Sequence, residues 1–176
     1  MFYVDFDLIK GIKIPEMTVS RFYMEVRDRH MKSFAFPSLK KVNELAEGQS
    51  RTFDVTNTVI DRAGNGAKCV NINTCAALII FRTFHNSSVY MGDKCFVYHA
   101  PGGKVSEDIL VNARIALNVN DFNNCILIYA HPNEQGKYKD DITKICNSKL
   151  VLHQNLVVLS NIPPSFGVQS NGVIGF

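Results

Sequence analysis

Cys69-Val-Asn-Ile-Asn-Thr74-Cys75-Ala-Ala-Leu-Ile-Ile-Phe81 is the stretch whose reading decides the fold. Its second half, Ala76 to Phe81, is apolar at every residue. A short, uninterrupted apolar run reads as a central strand covered on both faces, because a strand with one wet face alternates. Its first half holds Asn71, Asn73 and Thr74, residues suited to a turn. Cys75 therefore stands where a loop becomes a buried strand.

On the N-terminal side, Phe2, Val4, Phe6 and Leu8 alternate with Tyr3, Asp5 and Asp7, the period of a half-buried strand. A helical pattern opens at Pro15 and Glu16, with Val19, Phe22, Tyr23 and Val26 on one face. A second short helix is expected after Pro37, with Leu39, Val42 and Ala46 inward. Strand signals begin after residue 50. Arg51 to Arg62 is rich in Thr, Val and Ile, Gly64-Asn65-Gly66 marks a turn, and a strand runs from Lys68 to about Ile72.

On the C-terminal side, Lys94 to His99 reads as a strand that ends at the Gly102-Gly103 turn. Lys104 to Asn118 reads as a helix with Ser106 as N-cap and Glu107 and Asp108 at its positive end. Ile109, Ala113, Ala116 and Leu117 line its apolar face. Cys125 to Ala130 is another buried strand, Asn133 to Asp141 a surface loop or the start of a short helix, and Leu150 to Leu159 one or two strands. Asn171-Gly172, between Gly167-Val168 and Val173-Ile174, is a hairpin signal. Strands and helices do not alternate strictly, which disfavours a Rossmann-like fold. The expected architecture is an α+β sandwich of mixed β-sheets flanked by helices, with residues 1–176 as a single domain.

Composition narrows the function classes. A chain of 176 residues with 46% hydrophobic and 20% charged residues can bury a sizeable core and is not disordered. The net charge of +3 is too weak for a nucleic-acid binder, and Lys40-Lys41 and Arg27, Arg29 and Lys32 lie among Glu25, Asp28 and Glu44. The longest apolar run, Ala76 to Phe81, is far short of the ~20 residues of a membrane helix. Asp5 and Asp7 interrupt the N-terminal apolar stretch, unlike a Sec signal peptide. The cysteines, Cys69, Cys75, Cys95, Cys125 and Cys146, are odd in number and form no Cys-x-x-Cys pair. That argues for free thiols in a reducing compartment rather than a disulfide framework or structural zinc. A metal reading through Cys69, Cys75 and His99 lacks ligand spacing, and no cofactor is expected.

The chemistry-bearing candidates are Cys75 and a strand-end histidine. A sulfur at a loop-to-strand junction can face a cleft, with nearby backbone amides as an oxyanion hole. His99 ends the strand Phe96-Val97-Tyr98-His99, so it could meet Cys75 at one edge if the two strands pair. An imidazole there would assist the thiol and carry its proton. His131, at the end of Cys125 to Ala130 and followed by Pro132, is the competing partner. Cys95 and Cys125 lie inside strands and read as structural, and Cys146 as peripheral. His30, His85 and His153 read as surface or loop residues. There is no Gly-x-Ser-x-Gly elbow and no Walker A loop.

A turn, a cysteine opening the apolar strand Cys75-Ala-Ala-Leu-Ile-Ile-Phe, then a histidine closing the next as His99-Ala-Pro-Gly-Gly, resembles a group of glutamine deamidases. They are of the chemoreceptor-deamidase, cytotoxic-necrotizing-factor and Burkholderia-lethal-factor type. The resemblance spans roughly residues 67 to 104. Where members of that group often place threonine six residues before the cysteine, this chain has Cys69, and where they favour glycine in the turn it has Asn71, Asn73 and Thr74. The group that orients the histidine is therefore open between Thr74 and a backbone carbonyl. The resemblance implies Cys75 as nucleophile, His99 as general acid and base, Thr74 as third residue, and a partner protein presenting a glutamine. It also implies a cytoplasmic fold of the toxin or effector kind, compatible with delivery into a host by a Sec-independent route. Two other classes stand beside it: a non-enzymatic binding module of the immunity or adaptor type, and a cysteine protease using the same pair.

Overall fold

The computed structural model describes residues 17–18, 38–39, 42–55, 66–86, 89–132, 138–151, 156–170, 172 and 174–176. The expected strand at residues 2–8 and the helical face Val19 to Val26 lie outside them. Among the described residues, ten strands form two mixed sheets. The larger sheet contains β1 (Met17–Thr18), β3 (Ser50–Asp54), β5 (Ala76–Asn86), β6 (Val89–Ala100), β7 (Cys125–Ala130) and β8 (Leu156–Ser160), in the order β1-β8-β7-β5-β6-β3. The smaller contains β2 (Asn43–Leu45), β4 (Gly66–Cys69), β9 (Phe166–Gln169) and β10 (Ile174–Gly175), in the order β10-β9-β4-β2. Two helices, α1 (Glu107–Leu117) and α2 (Lys139–Asn147), complete an α+β fold. Neither is long and apolar enough to cross a membrane.

The all-apolar run is the reason for this layering. β5 lies between β6 and β7, antiparallel to both. Cys75, Ala77, Ile79 and Phe81 face the smaller sheet, where they pack with Leu45, Ala67, Phe166, Val168 and Ile174. Ala76, Leu78 and Ile80 face the other way, onto Leu110, Ala113 and Leu117 of α1 and Ile145 of α2. Both faces of β5 are thus dry, as its lack of alternation requires. The parallel strands β7 and β8 are joined through α2, and β6 reaches β7 across β5 through α1, the crossovers such pairings need.

Helix α1 begins as expected. The Ser106 side chain accepts from the Ile109 N–H, and Asn118 closes the helix in the left-handed region at φ 53°. The Asn171-Gly172 signal also falls where β9 and β10 pair as an antiparallel hairpin, with Gly172 at φ 82°.

Other stretches differ from expectation. The short helix after Pro37 is not formed by the described residues there. Asn43–Leu45 is instead a strand, parallel to β4. Leu45 is buried and Ala46, expected inward, is exposed. Gln49 N–H donates to the Ala46 carbonyl, with Gly48 at φ 79° in the third position of the turn, so the chain reverses just where a helix would have continued. The strand expected from Lys68 to Ile72 is Gly66–Cys69, because Asn71 takes a left-handed conformation that ends pairing. The strand expected from Lys94 is longer at its start, Val89–Ala100, and His85, expected on the surface or in a loop, falls within the span of β5.

Candidate active site

The site lies where β5 begins and β6 ends. Ala77 pairs directly with His99 across the ladder, and Ala76 with Ala100. Cys75, one residue before Ala76, thus takes the diagonal position to His99 on the same face, where Cα atoms are roughly 7–8 Å apart. The residues of β7 on that face are Ile126, Ile128 and Ala130. His131 falls on the opposite face. Its ring lies 4.4 Å from that of Tyr138 and 6.1 Å from that of Tyr129, on the helix side of the sheet. Strand alternation therefore groups His99, and not His131, with Cys75.

His99 is 1% exposed. Its backbone N–H donates to the Gln49 carbonyl and its own carbonyl accepts from the Gly48 N–H. Its Nδ1 lies 2.8 Å from the carbonyl oxygen of Leu45. A carbonyl only accepts, so Nδ1 carries the hydrogen and donates it. The other nitrogen, Nε2, is buried with no hydrogen-bond partner. The group that orients the imidazole is thus a backbone carbonyl from β2, not Thr74.

Cys75 is 1% exposed, yet three residues around its sulfur, Glu47, Thr74 and Gly102, are exposed. Its Sγ lies 2.9 Å from Glu47 Oε1, and the thiol donates to the carboxylate. The Gly102 amide and the Thr74 hydroxyl stand near enough to the sulfur to favour its ionised form. Gly102 has φ 59°, in the left-handed region, and an added Cβ there would have nothing within 4 Å. Thr74 is further tied down by its carbonyl, which accepts from Tyr138 Oη at 2.9 Å.

The thiol ionises above its ordinary range. Burial is the largest cause, followed by the hydrogen bond to Glu47; the Gly102 amide opposes the shift, the negative charge of Glu47 adds to it, and the Thr74 hydroxyl opposes it. Cys75 therefore rests as a neutral thiol. Cys69, on the adjacent sheet, is pushed up further by burial and by the neighbouring Cys75, and burial does the same to Cys95. None of the five cysteines forms a disulfide; Cys125 is buried inside β7 and Cys146 partly exposed on α2. Among the described residues, no three His, Cys, Asp or Glu side chains converge to hold a metal ion.

Glu47 and Gly102 are the neighbours of the sulfur that sequence reading missed, and of the two alternatives left open for orienting His99 the structure shows the backbone carbonyl, that of Leu45. Gly102-Gly103 had a signal, as a turn directly after His99. Glu47 had only its place beside Gly48, and its contact with Cys75 spans 28 residues. No known family model matches this chain, and no curated protein matches it in sequence.

Proposed function

We propose that the protein is a cysteine-dependent hydrolase acting on the side-chain amide of glutamine in a partner protein, with Cys75 as nucleophile and His99 as general acid and base. The observation that carries this reading is the buried, unpartnered Nε2 of His99 on the face shared with Cys75. Leaving a buried nitrogen unpaired costs about 1–3 kcal/mol, and such groups cluster at sites of chemistry. The Leu45 carbonyl fixes the tautomer so that this nitrogen is the one able to take a proton.

The reaction follows from those atoms. The Cys75 thiol turns from Glu47 to Nε2 of His99 and gives it its proton as sulfur bonds to the carboxamide carbon. The Gly102 N–H, beside the sulfur, holds the oxygen that becomes negative. The carbon–nitrogen bond breaks, and ammonia leaves with the proton from His99. Water then attacks the thioester, His99 taking its proton. The carbon–sulfur bond breaks, Cys75 recovers its hydrogen, and glutamate is left.

The non-enzymatic reading keeps one observation in its favour, the raised ionisation of the Cys75 thiol. Iodoacetamide labelling with peptide mapping separates the two. The enzyme reading expects Cys75 to be labelled ahead of the fully buried Cys95, and His99→Ala to slow Cys75 tenfold or more while sparing the other cysteines. Labelling of Cys75 no faster than of Cys95 would move the assignment to a binding module.

A further inference from the structure

Glu47 lies directly on the reacting sulfur, and the reaction above gives it no role. It sits in the exposed turn from Ala46 to Gln49, held by the Gln49 N–H to Ala46 carbonyl bond and by Ala46 N–H donating to Gln49 Oε1 at 2.9 Å. The same turn anchors the backbone of His99 through Gly48 and Gln49. The carboxylate is thus carried on a short, internally bonded frame that is tied to the site. Its Oε1 lies 2.9 Å from Sγ, so a group bonded to that sulfur comes within reach of it.

A carboxylate only accepts hydrogen bonds and repels another carboxylate. A primary carboxamide brings two N–H donors; the acid made from it brings none and is charged. We propose that Glu47 is a specificity-determining residue: its carboxylate receives the –NH2 of a neutral primary carboxamide at Cys75 and turns away the corresponding carboxylate, so that the glutamate product is expelled. This rests on Cys75 being the nucleophile.

Iodoacetamide and iodoacetate test it, because they share a leaving group and differ only as carboxamide and carboxylate. Both react with the thiolate, so the thiolate fraction cancels in the ratio of their rates. The rates at Cys75 are measured in the folded full chain, with the urea-unfolded chain as reference. The overall charge of +3 works against the expected result, since it draws iodoacetate in. The folded protein is expected to prefer iodoacetamide about tenfold more than the unfolded chain does, which corresponds to about 1.4 kcal/mol. Glu47→Gln should return the ratio to within about twofold of the reference, and Glu47→Lys should carry it below. Both substitutions fall on an exposed turn residue, and circular dichroism checks that the variants fold. A ratio that already equals the reference, or that survives Glu47→Gln, overturns this inference and leaves the nucleophile standing. Cys75 silent to both reagents overturns the nucleophile and this inference with it.

Discussion

At the residue scale, Cys75 is held between opposing influences. Burial and the Glu47 carboxylate keep its proton on, while the Gly102 amide and the Thr74 hydroxyl ease it off. Removing one donor or one acceptor should move its ionisation in opposite directions. Glu47→Gln loses a like charge and a carboxylate acceptor, so the thiol should ionise at lower pH than in the parent. Thr74→Val loses a donor to sulfur, so it should ionise higher. Ultraviolet thiolate absorbance against pH reads both, corrected with Cys75→Ser, and midpoints moving in the same direction would contradict the account. That Cys75 and His99 come to one edge of paired strands was legible in the sequence because each stands at the junction of an apolar run with a turn. Glu47 was not, since no local pattern says which exposed acidic residue will fold back onto a sulfur. The orienting Leu45 carbonyl was legible only as one of two alternatives, because backbone acceptors carry no side-chain signature.

At the scale of elements, the Pro101–Gly103 turn after β6 supports the site from the helix side. Gly103 has φ 79°, and a Cβ there would run into the ring of Tyr138 and meet Tyr129 Oη at 2.8 Å. Tyr129 Oη also donates to the Gly103 carbonyl at 2.6 Å. Gly103→Ala should cost roughly 1–3 kcal/mol from the positive φ alone. It should also push Tyr138 off the Thr74 carbonyl and disturb the turn before Cys75. Urea unfolding together with the labelling rate of Cys75 checks this, and an unchanged midpoint with an unchanged rate would refute it. Ser106→Ala, at the far end of α1's capping bond, should cost about 1 kcal/mol and leave Cys75 labelling alone. Helix α1 and strands β5 and β7 could be read from sequence because capping and apolar periodicity are local. The three-residue β2 could not. Its pairing with β4 is made across some twenty residues, and the spacing of Leu39, Val42 and Ala46 imitates a helix face.

At the scale of the molecule, the sandwich buries thiols at a cost that depends on pH. Cys69 and Cys95 lie between the sheets, and burial pushes their ionisation up. In the unfolded chain they ionise at their ordinary value, roughly 8.5. Above that pH the unfolded state releases protons that the folded state retains, so stability falls as pH rises. Below it the contribution is present in full. Thermal midpoints should hold level from about pH 6 to 8 and decline towards pH 10, and the double substitution of Cys69→Ala and Cys95→Ala should flatten the decline. A parent protein equally stable at both ends would contradict this. The two-sheet arrangement was legible in kind from the dry central run at Ala76–Phe81. Which strand joined which sheet was not, because β4 and β5 are adjacent in sequence and yet belong to different sheets.

The most direct measurement of the central claim is intact-mass analysis after incubation with a peptide carrying the diazoketone analogue of glutamine. An acid must protonate the diazo carbon before sulfur displaces nitrogen, so the probe reports the nucleophile and its acid together. The account predicts one adduct, mapped to Cys75, lost in Cys75→Ser and strongly slowed in His99→Ala. No adduct at Cys75, or one that forms as fast in His99→Ala as in the parent, would contradict it.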